Sequence, residues 1–162
     1  SLPKVYGGFN TSLSWKGFDL SAIFAYSIGG YIYNRDITMI LHNGSLEGRD
    51  WSTEILKRWT PDNRYTDVPA LSTTSNNWNS ASTRFLQNNS YMRLKNLTLS
   101  YNLPKQWISK LSLSSVQVYV QGDNLFTIHR NQGLDPEQGI TGITYYRYPA
   151  MRTISGGINV SF

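Results

Sequence analysis

Two histidines, His42 and His129, and three acidic residues, Asp123, Asp135 and Glu137, are the side chains of this 162-residue sequence best suited to acid–base or metal chemistry. Each histidine stands alone in a polar stretch. Neither has a serine or aspartate nucleophile pattern beside it, so each is expected as a solvated loop residue and no catalytic set can be assembled. The carboxylates offer the hard oxygen atoms that calcium takes. Two of them fall in GLDPE, residues 133–137, where Gly133 and Pro136 shape a turn, and turn structure is the preferred reading. Cysteine is absent, which excludes a disulfide framework and any thiolate-bound metal. There is no phosphate-cradling glycine loop. Gly156-Gly157 lies inside a strand-like pattern, where glycines relieve crowding or admit a neighbouring backbone. No cofactor is expected, calcium being the one weighed, and the sequence does not read as an enzyme.

Aromatic and amide side chains offer recognition instead. Trp51, Trp59, Tyr65 and Trp78 crowd a stretch otherwise rich in Asn, Ser, Thr and Gly. Aromatic faces stack on sugar rings and also anchor protein interfaces. For Trp51 and Trp59 a plainer role is preferred, pinning a short helix onto the structure beneath it, whereas Trp78 is left open. A second set is polar and periodic: Asn10, Ser12, Ser14, Thr98, Ser100, Asn102, Gln117, Gln121, Ser155 and Asn159. These residues suit hydrogen bonding to water, to a plug or to a polar solute.

The polar set recurs at every second position, which is the period of a β-strand. In the first strand, about 6–15, Phe9, Thr11, Leu13 and Trp15 alternate with Gly8, Asn10, Ser12 and Ser14. Lys16-Gly17 makes a tight turn. In the second, about 18–28, Phe18, Leu20, Ala22, Phe24, Tyr26 and Ile28 share a face. Three more strands are expected at about 91–103, 116–128 and 151–162. In the third, Leu97, Leu99, Tyr101 and Leu103 set the apolar phase, which carried back puts Arg93 and Lys95 on the greasy face. Either these two snorkel to a polar rim, or a bulge shifts the phase. Segments 29–90 and 129–150 read as loops, with one helical island in DWSTEILKRW. That island is capped by Asp50 or Ser52, carries Ile55, Leu56 and Trp59 on one side and is ended by Pro61. PKQWISKL, after the third strand, reads as a helical turn or two.

Only 15% of the residues are charged, against about 25% in an ordinary soluble domain, and 14% are aromatic. No apolar run approaches the roughly 18 residues of a membrane helix. The net charge of +5 does not point to nucleic acid, because the basic residues are scattered and only Lys57-Arg58 are adjacent. Composition alone leaves two classes, a transmembrane β-barrel and an aromatic-rich soluble β-sandwich. The pattern favours the barrel. The strands carry almost no charge, as a hydrocarbon-facing wall requires, and their polar faces hold Ser, Asn, Thr, Gln and Gly rather than Lys and Glu. Trp15, Phe18, Tyr101, Trp107 and Phe162 fall at one level and Tyr26, Phe126 and Tyr148 at the other, like two interfacial girdles. With the C-terminus inside, the inner connections are Lys16-Gly17 and 104–115, and the long loops 29–90 and 129–150 lie outside. Five strands cannot close a barrel, since single-chain barrels begin at about eight. Open edges in hydrocarbon are prohibitive. The start SLPKVYGG has neither an initiator Met nor a signal peptide, which leaves a cytosolic protein with a trimmed start or the C-terminal piece of something longer, and the strand count favours the second.

The stretches NNSYMRLKNLTLSYNLP, VQVYVQGDNLFTI, GLDPE and YPAMRTISGGINVSF, with the opening PKVYGGFNTSLSWKGFDLSAIFAYSIGG, resemble the C-terminal end of SusC/RagA-type TonB-linked outer-membrane proteins of Bacteroidota. The order of these motifs is specific, and the resemblance covers essentially the whole chain. It implies an all-β antiparallel barrel of about 22 strands with a plug inside, of which this chain is the last five strands with long extracellular loops and one short helix. It implies import of glycans or peptides driven by TonB, a SusD-like lipoprotein lid, and contact with membrane lipid and lipopolysaccharide. The plug and the TonB-contacting part lie outside this sequence. Ile158, Val160 and Phe162 resemble the terminal signal read by the barrel-assembly machinery, which works by strand addition to an exposed edge. The alternatives are a passive outer-membrane porin or adhesin, and a soluble carbohydrate-binding sandwich.

Overall fold

The computed structural model describes all residues except 1, 43, 45, 47, 73, 75–79, 110–112, 132, 138, 140, 145 and 146. Eight strands are described: β1 Val5–Trp15, β2 Phe18–Ile28, β3 Tyr31–Asn34, β4 Leu86–Asn88, β5 Tyr91–Asn102, β6 Ser115–His129, β7 Ile143–Thr144 and β8 Thr153–Ser161. Two short α-helices, α1 Arg35–Ile40 and α2 Lys105–Ile108, and 3-10 turns at Thr53–Lys57 and Thr83–Phe85 complete the described elements. No described helix is long and apolar enough to cross a membrane, which says nothing of strands.

The chain divides into two compact units. The first comprises Leu2–Gly30, Asn89–Pro136 and Tyr148–Phe162 and is built on one antiparallel sheet in the order β1-β2-β5-β6-β8. Its first hairpin follows from two residues. Lys16 at φ 47° and Gly17 at φ 88° both take the left-handed region, as the two central positions of a type I′ turn require. That turn sets Trp15 opposite Phe18, Leu13 opposite Leu20 and Phe9 opposite Phe24. The Phe9 and Phe24 rings stack at 4.7 Å between centroids. The apolar row continues across the sheet through Leu20–Leu99–Val120 and Phe18–Tyr101–Val118–Ile158. β1 and β8 have no strand partner on their outer sides among the described residues.

The phase question in β5 is answered by a bulge. Ile23 pairs with Asn96 and the next residue, Phe24, with Leu94, so Lys95 is the extra residue. On the other side Leu94 pairs with Phe126 and Asn96 with Asp123, which leaves Asn124 and Leu125 opposite Lys95. Asn124 takes φ 52°, a region asparagine tolerates better than most residues. One inserted residue exchanges the faces of everything beyond it. Met92 and Leu94 therefore join the apolar face, and Arg93 moves to the polar one, opposite Ala25 and Thr127. Arg93 does not snorkel.

The second unit comprises Tyr31–Asn88 and Glu137–Arg147. The loop readings for these segments missed a three-stranded sheet, β4-β3-β7, in which β3 and β7 are parallel. They also missed α1. Its cap is an ordinary one: the Asn34 side chain accepts from the Ile37 N–H at 3.1 Å, and Asp36 lies in the first turn, where the helix dipole favours an anion. The expected helix in DWSTEILKRW is a 3-10 turn over Thr53–Lys57. Ser52, not Asp50, caps it by accepting from Glu54 N–H at 3.3 Å. Its three apolar residues do not share a buried side. Ile55 is buried, whereas Leu56 and Trp59 are exposed, because five residues in a 3-10 turn present no wide stripe. Ile32, Ile55, Val68 and Phe85 form the buried apolar centre of this unit, with Tyr33 edge-on to Phe85 at 6.0 Å.

Candidate functional site

The ten polar residues expected at alternate positions are brought onto one face of the five-stranded sheet. Register fixes this without regard to side-chain conformation. Asn102, Gln117 and Asn159 stand side by side, as do Ser12, Ser21, Thr98, Gln121 and Ser155. Ser14 pairs with Asp19 and Asp19 with Ser100, and Asn10 lies opposite Ile23. Hydrogen bonds run across the strands. Asn159 Nδ2 donates to Gln117 Oε1 at 3.2 Å, and Gln117 Nε2 donates to Ser100 Oγ at 3.4 Å. Thr98 Oγ1 donates to Asn96 Oδ1 at 2.9 Å, and Asn96 Nδ2 to Asp123 Oδ1 at 2.8 Å. Gln121 Nε2 reaches both oxygens of Asp123, at 3.3 and 3.2 Å. The Asp19 carboxylate receives the Ser14 hydroxyl on one oxygen and Asn102 Nδ2 on the other, the latter at 2.7 Å. These bonds form three short networks of amides, hydroxyls and carboxylates on one face. It can exchange hydrogen bonds with water or a polar solute.

The opposite face is apolar and open. Leu99 is 42% exposed and Val160 44%, while Ser100 on the polar face is 8% exposed. A face of Phe9, Leu13, Trp15, Phe18, Leu20, Val118, Val120, Phe126, Ile154 and Ile158 far exceeds a scattering of single apolar residues. Soluble monomers seldom expose contiguous apolar patches beyond about a few hundred Å². The proposed girdle residues are placed in part. Trp15, Phe18 and Tyr101 fall in one row, with Phe18 and Tyr101 rings 4.4 Å apart. At the other end Tyr26 and Phe126 lie one row apart, in the rows of Met92 and Leu94.

Ile158 and Val160 lie on the apolar face opposite Val118 and Val116, and Phe162 follows the strand, 92% exposed. Ile158 and Val160 stand on β8, an edge strand of the sheet among the described residues. The twin glycines have distinct reasons. A Cβ on Gly157 would come within 2.7 Å of the Tyr119 hydroxyl, so that ring lies over the glycine, and a Cβ on Gly156 would meet the Tyr119 carbonyl at 3.3 Å.

The aromatic candidates are not gathered at one point. Trp51 donates its indole N–H to His42 Nδ1 at 2.9 Å, with the rings edge-on at 5.3 Å. Trp59 is partly exposed and its backbone N–H donates to the Val68 carbonyl at 2.7 Å. Tyr65 is fully exposed. Trp78 lies outside the described residues. His42 is a correction: it is 1% exposed, not solvated, because Trp51 covers and bonds it. Its Nε2 has no hydrogen-bond partner among the described residues. His129 is exposed but ends β6 rather than lying in a loop.

Of the acidic residues, Asp123 is occupied by amides and Asp135 accepts from Arg93 Nη2 at 2.6 Å. No group of three or more potential metal ligands occurs among the described residues. Sequence reading missed the Arg93–Asp135 pair. The signal was present in Met92 and Leu94, whose apolar character at the wrong parity marks the bulge.

No family model matches the chain. It is 34% identical to TonB-dependent receptor P3 of Formosa agariphila over 99% of its own length and 16% of the relative's. It is 28% identical to TonB-dependent receptor SusC of Bacteroides thetaiotaomicron, over 96% of this chain and 15% of SusC. Among solved structures, the RagAB peptide importer in its open-open state superposes at a TM-score of 0.87 with 35% identity, covering 99% of this chain and 17% of the matched one. The closed-closed state gives 0.85 over the same shares. The chain is thus a homologue of the SusC/RagA-type TonB-dependent receptors, matched along nearly its whole length and spanning a small part of theirs.

Proposed function

We propose that this chain is the C-terminal part of the barrel wall of an outer-membrane TonB-dependent importer that takes up glycan or peptide fragments of polymers. The observation that carries the reading is the division of one five-stranded sheet into an uncharged, open apolar face and a hydrogen-bonded polar face. On this reading the apolar face meets membrane lipid, with lipopolysaccharide at the outer rim. Asn10, Ser12, Ser14, Thr98, Ser100, Asn102, Gln117, Gln121, Ser155 and Asn159 face the lumen and the plug. Strands of 9 to 15 residues are long enough to span, since about 9–11 tilted residues cross the hydrocarbon core. The edges of β1 and β8 are completed by strands elsewhere in the same protein, in a barrel of about 22 strands. Ile158, Val160 and Phe162 form the strand-addition signal for the barrel-assembly machinery. A SusD-like lipoprotein caps the outer side, with Trp51, Trp59, Tyr65 and Trp78 as contact candidates for it or for substrate, and TonB engages the N-terminal part.

The mechanism is gating. The wall supplies a rigid, polar-lined conduit, and no covalent step is needed from its residues. The test uses the full-length receptor in its own host. Uptake of labelled glycan and peptide pools is measured with and without TonB and with and without the upstream plug. TonB-dependent uptake of one pool supports the proposal and names the substrate class. Passive uptake that persists without TonB and plug replaces it with a porin. A folded, detergent-free soluble form of the 162-residue chain would point to the carbohydrate-binding sandwich instead.

A further inference from the structure

Apart from Ser1, the chain passes between its two units four times, after residues 30, 88, 136 and 147. The sheet-unit residues that flank these crossings are tied to one another. At the first two, Asn89 N–H donates to the Gly30 carbonyl at 3.2 Å, and Gly29 N–H donates to Ser90 Oγ at 2.9 Å. At the last two, one carboxylate serves both sides. Asp135 precedes the crossing at Pro136, and Ala150 follows the return at Tyr148. Asp135 Oδ1 accepts from Arg93 Nη2 at 2.6 Å, and Oδ2 accepts from the Ala150 backbone N–H at 2.7 Å. Asn131 Nδ2 donates to Asn89 Oδ1 at 2.8 Å and so joins the two pairs of crossings. The result is a collar of polar contacts around the points where the chain leaves the sheet.

Arg93 is the fixed member of this collar. Its Nε donates to Thr127 Oγ1 of β6 at 2.8 Å, and the residue is only 3% exposed. It is on this face only because of the extra residue at Lys95. Asp135, by contrast, sits on an irregular segment next to an open hollow lined by Thr127, His129, Leu134 and Pro149. The ladder bonds of β5, β6 and β8 do not involve its carboxylate.

We infer that the Arg93–Asp135 pair is a lock on the base of the 137–147 segment: while it is closed the two ends of that segment are held together, and its parting frees them without opening the sheet. Loss of the Asp135 charge removes a counter-ion from a buried guanidinium, which is far costlier than loss of an exposed pair. It also weakens or removes the acceptor for the Ala150 amide. The consequence falls on the segment and not on the strands, because the strands keep their own hydrogen bonds. The inference goes beyond the transport reading and assumes no substrate.

The test is hydrogen exchange by mass spectrometry on the purified full-length receptor, with heat-modifiable mobility confirming an assembled barrel. Asp135→Asn keeps an oxygen near Ala150 and removes the charge. In this variant, peptides covering 133–136 and 148–151 are expected to exchange at least about tenfold faster, with peptides of β5 and β6 within about twofold of wild type. Asp135→Ala is expected to go further in the same direction, and if it fails to assemble, Asp135→Asn decides alone. Exchange in Asp135→Asn within about twofold of wild type at both ends of the segment overturns the lock. So does acceleration spread evenly over β5 and β6, which would make the pair a general support of the sheet. Since the readout is exchange and not uptake, a failed transport reading leaves this result standing.

Discussion

The two units of this chain are held together by different physics. In the sheet unit, long strands repeat apolar and polar residues with period two, and backbone ladders between neighbours carry the order. Its apolar side chains are mostly on an open face, so they contribute little until something apolar covers them. The second unit has strands of two to four residues and short turns, and it is organised around a few buried apolar side chains: Ile32, Ile55, Val68 and Phe85. One unit is specified by pattern. The other is specified by a handful of contacts.

The sharpest way to break this comparison is to place a charge on each face of the sheet. Leu99→Arg puts a cation on the face assigned to lipid, where it costs about 2–4 kcal/mol near mid-bilayer. Outer-membrane abundance of the full-length receptor is expected to fall severalfold or more. Ser12→Lys, exposed on the polar face, is expected to leave abundance unchanged. Equal losses from both substitutions would remove the distinction between the faces.

Phe85→Ala tests the other side. It empties the centre of the second unit and costs about 3–5 kcal/mol there, as large-to-small core changes do. Protease cleavage within 31–88 is expected to rise steeply while barrel mobility on gels stays that of wild type. A barrel that fails to assemble would show that the two units do not fold on separate terms.

A smaller effect is expected at Gly157. A Cβ there meets Tyr119 Oη, Cζ and Cε1 within 3 Å, so Gly157→Ala requires the ring to move and costs roughly 1 kcal/mol. Combining it with Tyr119→Ala is expected to restore most of the thermal stability lost by the glycine change alone, measured by the temperature at which the barrel unfolds on gels. The smallest effect is at Ser52. Its side chain caps an exposed 3-10 turn, and Ser52→Ala is expected to cost about 0.5 kcal/mol. The change should appear as modestly faster amide exchange over 53–57. Breaking the exposed Lys57–Glu54 pair next to it is expected to change nothing measurable.

The difference between the units also explains what could be read from sequence. Alternation over ten or more residues overdetermines a strand and its face, which is why Leu20, Leu99 and Val160 could be grouped before any coordinates. At Arg93 the extended pattern left two readings, snorkelling or a bulge, and the inserted residue decides for the bulge. Met92 and Leu94 carried the contrary signal, but only pairing with Phe24 and Phe126 reveals which residue is extra. The second unit gave no such repeat. Strands as short as Tyr31–Asn34 and Ile143–Thr144 contain at most two periods, and nothing local announces that they will pair. His42 looked solvated because polar residues flank it. Its burial depends on Trp51, nine positions away, and on a hydrogen bond that spacing alone does not declare.

The parallel pairing of Tyr33 with Ile143 and Asn34 with Thr144 joins residues more than a hundred positions apart through only two rungs. Closing so long a loop in a disordered chain carries an entropy penalty that two rungs cannot offset. The order of events follows. β2, β5 and β6 must find their registers before that pairing becomes favourable, so the β3–β7 pairing is expected to form late in folding.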